Sequence, residues 1–376
     1  MLGGIRFRLF QLVGNAALAF PHKHERHYDT IIVRVDALGD YILWRDSLDA
    51  YRNKLEGKKT LLICADLVRP LAEAENLFSD IWSFNRKKFE FNFTYFQEQL
   101  RFLRTLSADC VINPNWERHR IGDIMVKAIR SSCKIGMESK CCNYFETRYY
   151  NRQYTTLIPS PDTASEIEAI QYFTQNVISG SYHYGGRQMF AFDSVCPIAE
   201  PYVVFAISAS DERRIWGAEQ FAEVIDTIPS SFKIVLSGAG NGDDERASII
   251  SKKVKNSQRI INMVNKTSVK DLVSWIANAT FVVGNDSAAV HIAAATRVPS
   301  VCILPGAHFM RFVPYPQGTL INDNYLPHPV YSPMSCFGCG YHCIHPIQGR
   351  YECLRRISAE DVNKRVRNLL DPSPNN

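Results

Sequence analysis

Four stretches of this sequence gather side chains able to do chemistry. After the apolar run Thr30 to Val35 comes Asp36-Ala37-Leu38-Gly39-Asp40. Gly39 permits a tight turn, and Asp40 falls at or beside the N-cap of a helix read as starting at Tyr41. A carboxylate there either caps the helix or, at the mouth of a sheet, accepts the proton of an attacking hydroxyl. Asp36 is the rival for that role, nearer the strand end. In the second stretch, Phe281 to Val283 runs into Gly284-Asn285-Asp286-Ser287-Ala288-Ala289-Val290-His291 and on into Ile292-Ala293-Ala294-Ala295. Small residues throughout such a turn let the backbone N–H groups of a helix start approach a diphosphate, which the helix dipole also favours. Ser287 adds a hydroxyl, Asp286 an acceptor for ribose hydroxyls, and His291, one turn in, a ring that can face the same phosphates. Taken singly, each is as well explained by capping or packing; together at one helix start they point to a site.

The third stretch is Ser208-Ala209-Ser210-Asp211-Glu212-Arg213-Arg214-Ile215-Trp216, which follows another apolar strand run. Its arginines are either bidentate phosphate ligands or a solvated pair beside Asp211 and Glu212. Gly238-Ala239-Gly240-Asn241-Gly242 lacks the full dinucleotide-binding pattern, so it reads as a loop on the nucleoside side. The fourth is Cys336-x2-Cys339-x3-Cys343-x9-Cys353, interleaved with His342 and His345. Four thiolates, or three and a histidine, suit a tetrahedral structural zinc ion. That reading and free thiols both stay open, ahead of disulfides or an iron–sulfur cluster.

These residues must be positioned by strands and helices. Thr30 to Val35, Leu61 to Ala65, Ile81 to Phe84 and Cys110 to Asn113 read as strands, with helices over Tyr41 to Leu55 and Phe93 to Leu106 between them. Around Cys141 to Pro161 the periodicity fades. Ser165 to Ile178 offers one helix before a Gly/Tyr/Ser-rich passage and Pro197, which together read as an inter-domain connection. Strands return at Tyr202 to Ile207, Phe232 to Leu236, Thr280 to Val283 and Ser300 to Leu304, and a last helix covers Ala359 to Leu370. Alternation of this kind predicts an α/β protein of two parallel-sheet units, in which ligands collect outside the carboxyl ends of the strands. The expected division is 1–25, 26–180, 195–357 with a Cys-rich segment at 336–353, and a final 358–376.

A length of 376 residues exceeds one ordinary core, and 46% hydrophobic with 22% charged residues is a globular composition. A net charge of +5 suits phosphate-bearing ligands or an anionic membrane surface and gives no nucleic-acid signature. Met1 to Phe20 imitates a signal peptide, but Gln11 and Asn15 interrupt its apolar run. Ile5, Leu9, Leu12, Val13 and Ala16 recur instead at helical spacing, predicting an amphipathic helix that rests on a membrane or on the protein itself. Cys64, Cys110, Cys133, Cys141, Cys142, Cys196 and Cys302 read as buried thiols of a reducing compartment.

Ile31 to Asp40 resembles the opening of the glycosyltransferase family that includes lipopolysaccharide heptosyltransferases, and Gly284 to Ala295 is similar to its C-terminal signature, with Ala288 where a glycine is commoner. The resemblance implies a GT-B fold, two Rossmann-like domains facing each other across a cleft. It implies Asp40 as general base, and Asp286, Ser287, Ala288 and His291 as the donor-binding turn. Arg214, two positions before Trp216, would be the basic residue that holds the donor phosphates. It further implies inverting transfer of a sugar, heptose from ADP-heptose, to a lipopolysaccharide core or related surface-glycan acceptor. No cofactor is expected in catalysis, and the place of work is the cytoplasm, at the inner face of the cytoplasmic membrane. A nucleotide-sugar epimerase of similar fold and a non-catalytic zinc-stabilised binding protein are the alternative readings, ahead of a dehydrogenase.

Overall fold

The computed structural model describes residues 26–118, 120–138, 144–185, 187–192, 198–320 and 322–371. The helix expected over 1–25 lies outside them, as do Cys141, Cys142 and Cys196. The chain parts into two compact units between His183 and Tyr184, inside the Gly/Tyr/Ser-rich passage.

The first unit is built on one parallel sheet: β1 (Arg26–Arg34), β2 (Thr60–Ala65), β3 (Asp80–Phe84), β4 (Leu106–Asn113), β5 (Cys133–Met137) and β6 (Thr156–Ile158). Its strands lie in the order β3-β2-β1-β4-β5-β6. The second holds β7 (Tyr202–Ala206), β8 (Lys233–Ser237), β9 (Ile260–Asn262), β10 (Phe281–Asn285), β11 (Ser300–Ile303) and β12 (Pro327–Val330), ordered β12-β11-β10-β7-β8-β9. Counted within each unit, both orders are the 3-2-1-4-5-6 of doubly wound nucleotide-binding sheets, so each unit is Rossmann-like. Such a sheet is covered on both faces, which is why its central strands are unbroken apolar runs rather than alternating ones. Ile31, Ile32 and Val33 of β1 and Val203, Val204 and Phe205 of β7 are wholly buried. Reversal of strand order places a crevice beyond the ends of β1 and β4 in one sheet, and of β7 and β10 in the other.

The sequence pattern overlooked β5, β6, β9 and β12. Three of these are edge strands of three or four residues, too short and too exposed to show a period, and β12 carries Pro327 and Pro329, which only an edge tolerates. β6 and the helix Tyr144–Asn151 fall in the passage where periodicity fades. The single helix read over Tyr41 to Leu55 is two, Leu38–Arg45 and Leu48–Leu55. The Phe93 helix stops at Arg104, because Leu106 already opens β4. Cys64 and Cys302 are buried, and burial pushes the Cys64 thiol up to about 12. Cys110 and Cys133 are only half-buried: they face each other across neighbouring strands with sulfurs 2.7 Å apart. Among the described residues no helix is long and apolar enough to cross a membrane.

Candidate functional site

In the second unit the crevice is built where the sequence motifs placed it. Gly284 near the end of β10 pairs with Ala206 of β7, and a Cβ on it would meet the Ala206 Cβ at 2.7 Å, so the two strands close tightly only because it is glycine. The next residue, Asn285, is wholly buried. Its amide accepts from the Trp216 N–H at 2.9 Å and donates to the Ser208 carbonyl at 3.4 Å, tying both ends of the loop after β7 to the end of β10. Between those ties the loop makes a short 3-10 turn, Glu212–Arg214, capped by the Asp211 carboxylate.

The turn separates its two arginines. Arg213 is exposed and held by Asp211, the solvated pair that its surroundings in sequence suggested. Arg214 goes the other way: its side chain is 19% exposed, and Nη2 donates both to the Asp286 carbonyl (2.9 Å) and to the Asp286 carboxylate (2.8 Å). Nη1 donates to Ser210 Oγ at 3.1 Å, while the buried Nε has no hydrogen-bond partner. Burial alone would favour a neutral guanidine, but the Asp286 charge outweighs it and Arg214 stays firmly cationic. Asp286 is itself 5% exposed, and its Oδ2 is taken by Arg214. The Asp286 carboxylate, read from sequence as an acceptor for ribose hydroxyls, here also holds the Arg214 guanidinium in place.

Ser287 is the N-cap residue of the helix Ala288–Thr296, yet its hydroxyl makes no cap bond. Ser287 and Ala288 are both half-exposed, and the first N–H groups of a helix have no acceptor within it. His291 lies deeper, 4% exposed, with Nδ1 2.8 Å from the Tyr315 hydroxyl and the two rings stacked. Burial lowers its pKa to about 4, so at neutral pH it offers an N–H or a lone pair and no charge. The glycine loop Gly238–Gly242 leads into Asp243, which sequence reasoning passed over. That buried carboxylate sits against Ser208 and Arg246, and burial raises its pKa. The acidic run Asp243-Asp244-Glu245 opening a helix was the available signal.

In the first unit, Asp40 is half-buried at the third position of Leu38–Arg45, so the helix starts three residues earlier than read. Its Oδ2 accepts from the Ala37 N–H at 3.2 Å, a local bond at the helix start. Asp36 is buried with Oδ2 3.3 Å from Arg34 Nε, which leaves Asp40 the more accessible of the two. Arg34, 1% exposed, also donates to the Asp40 carbonyl (3.0 Å), the Pro114 carbonyl (3.2 Å) and Asn115 Oδ1 (2.8 Å), and so locks the ends of β1 and β4 together. Beside it Tyr154 donates to Asp123 at 2.6 Å and accepts from Asn113 at 2.7 Å, with Arg118 stacked over its ring. None of these was singled out from sequence, although an arginine closing an apolar strand run is a signal of its kind.

Cys336, Cys339, Cys343 and Cys353 line one small cavity with Tyr341, His345 and Tyr351. His345 Nε2 is buried there without a hydrogen-bond partner. Among the described residues only His27, Asp29 and Asp109 bring three ligand atoms within 4.8 Å of one another; the four sulfurs share a cavity without closing to that spacing.

Residues 148–326 match the sequence model of "Glycosyltransferase family 9 (heptosyltransferase)". The chain is 28% identical over 159 residues to a lipooligosaccharide heptosyltransferase 2 of Campylobacter jejuni, covering 42% of this chain and 47% of the relative, so it spans about half the length of that curated relative. A glycosyl transferase family 9 structure from Veillonella parvula superposes with a TM-score of 0.70 at 18% identity, covering 94% of this chain and 100% of that one. Escherichia coli heptosyltransferase WaaC, solved with ADP-2-deoxy-2-fluoro heptose, gives a TM-score of 0.67 at 16% identity over 91% and 99% of the two chains. These likenesses establish a GT-B type fold of two Rossmann-like domains, and the family read from the two motifs is the family that the comparison returns.

The state of His291 is open to direct measurement. With its pKa near 4 in the fold, against about 6.5 in the unfolded chain, only the unfolded chain binds the proton between those values. Its contribution to stability is therefore complete above pH 6.5 and is lost as pH falls toward 4. Thermal midpoints recorded from pH 7 to 4.5 are expected to fall less steeply for His291→Gln than for the wild type.

Proposed function

We propose, from the family 9 match across residues 148–326, that this chain transfers a sugar from a nucleoside-diphosphate donor to an acceptor hydroxyl with inversion. Heptose from ADP-heptose is the proposed donor, in keeping with the ADP-2-deoxy-2-fluoro heptose of the WaaC structure. A lipopolysaccharide core or related surface glycan is the proposed acceptor, worked on at the inner face of the cytoplasmic membrane. The observation that carries the reading is the meeting of Arg214, Asp286 and the start of the Ala288–Thr296 helix at the strand-order reversal of the second sheet.

In the proposed step the acceptor oxygen attacks the anomeric carbon, its proton passes to the Asp40 carboxylate, and the carbon–oxygen bond to the diphosphate breaks. The electron pair of that bond leaves on the diphosphate. Arg214 and the N–H groups at the start of the Ala288–Thr296 helix stabilise the charge that grows there, the part a fixed set of donors plays best. Ala288 needs no side chain for this, because the contact is through its N–H. His291, being neutral, contributes at most a hydrogen bond.

Apart from the reaction, Cys336, Cys339, Cys343 and Cys353 are proposed to hold a structural zinc ion, with His345 as a further donor. The donor set fits a thiophilic ion: soft sulfurs and an unpartnered imidazole nitrogen around one cavity. Bound there, the ion would cross-link the loop before the last helix. Elemental analysis is expected to find about one zinc per chain, reduced in Cys339→Ser; equal metal content in both proteins would remove the site.

The transfer reading rests on separating binding from turnover. Asp40→Asn is expected to keep ADP affinity within a few-fold and to lose roughly 100- to 10,000-fold in transfer rate, the usual share of a positioned base. Calorimetric titration with ADP and a radiolabelled-sugar transfer assay measure the two; an Asp40→Asn protein that transfers at the wild-type rate would refute the role of Asp40.

A further inference from the structure

The cysteine-rich loop reaches the arginine that the proposed function assigns to the donor diphosphate. Tyr341 lies in that loop, between Cys339 and Cys343, with its ring centroid 5.2 Å from the Arg214 guanidinium carbon. Behind it, the Tyr351 ring is 5.3 Å away and the His308 ring packs edge-on at 4.8 Å. Tyr351 covers the neighbouring Arg213 in the same manner, at 5.3 Å, and its N–H donates to the Arg213 carbonyl at 3.0 Å. The loop is anchored at its start as well: the Gly338 and Gly340 N–H groups donate to the Gly306 and Ala307 carbonyls at 2.8 and 3.0 Å.

Two features show that the ring, rather than the hydroxyl or the backbone, is what this position holds. Tyr341 has a φ of +66°, a left-handed conformation that costs a bulky residue energy and persists only where its surroundings impose it. Its hydroxyl is buried with no hydrogen-bond partner. A buried, unsatisfied hydroxyl lowers stability, so the side chain is placed for its aromatic face. That face carries negative charge density and covers a guanidinium whose Nη2 is already fixed by Asp286, restricting the remaining freedom of Arg214.

We propose that Tyr341 is a positioning residue for the donor diphosphate: the cysteine-rich loop holds its ring against Arg214, and the ring keeps the guanidinium aimed at the phosphates. The inference rests on Arg214 being the phosphate ligand. It makes the loop a support of the binding site, so that a change in the loop is felt as a change in diphosphate affinity.

Calorimetric titrations of the full chain with ADP, and competition titrations with adenosine, test it. Tyr341→Phe, which deletes only the unpaired hydroxyl, is expected to bind ADP within about twofold of wild type. Tyr341→Gly, which suits the left-handed backbone but lacks the ring, is expected to bind ADP about ten-fold more weakly with adenosine affinity unchanged. Should the glycine variant not fold, Tyr341→Asn removes the ring while tolerating the same backbone, and the same pair of affinities is read from it. Equal losses for ADP and adenosine, a Phe variant as weak as the Gly variant, or a Gly variant as tight as wild type would each overturn the proposal. Arg214→Ala separates the two levels: if it binds ADP normally, the phosphate role of Arg214 falls, whereas a weak Arg214→Ala beside a normal Tyr341→Gly removes Tyr341 alone.

Discussion

The organisation of the second unit turns on one ion pair, Arg214 with Asp286, made across the point where the strand order of its sheet reverses. A parallel sheet supplies a crevice there and nothing more; what lies in it depends on which side chains the two flanking loops commit to each other. Here the loop after β7 gives a cation and the loop after β10 a carboxylate, and both are mostly removed from water. Removing either partner would leave the other charged and desolvated, so neither loop can drift without cost. Asn285 and Gly284 serve the same constraint, one by stapling the loop at Ser208 and Trp216, the other by letting β7 and β10 approach.

The first unit solves the same problem with a different residue. Arg34 closes β1 and reaches the ends of both β1 and β4, so that one buried guanidinium fixes the turn carrying Asp40 and the turn carrying Asn115. In each sheet, then, an arginine joins the two strands beside the reversal and sets the residues proposed for chemistry on a rigid footing. Asp36 illustrates the consequence. It is also a carboxylate and only four residues away, but it is buried against Arg34, and Asp40 is the more accessible of the two.

Much of this was legible in the sequence, for reasons that can be named. Central strands of a doubly covered sheet must be apolar throughout, so the Thr30, Leu61, Tyr202 and Phe281 runs stood out, and the turns after them held the motifs. Edge strands obey no such rule, which hid β6, β9 and β12. The Phe93 helix runs without pause into β4, so its end could not be read from periodicity. At the site, the residue types at Asp40, Arg214 and Ser287 were visible, whereas their partnerships were not. That Asp286 spends its carboxylate on Arg214, that His291 is too buried to be charged, and that Tyr341 crosses from a cysteine-rich loop to an arginine over a hundred residues away are facts of packing, with no local signature.

The claim that Asp286 orients Arg214 can be separated from simple electrostatics by one titration. Asp286→Asn takes a negative charge away from the proposed diphosphate pocket, so charge alone predicts tighter ADP binding. If the pair works as described, loosening Arg214 outweighs that gain, and calorimetry will show Asp286→Asn binding ADP more weakly than wild type. Equal or tighter binding would contradict the account.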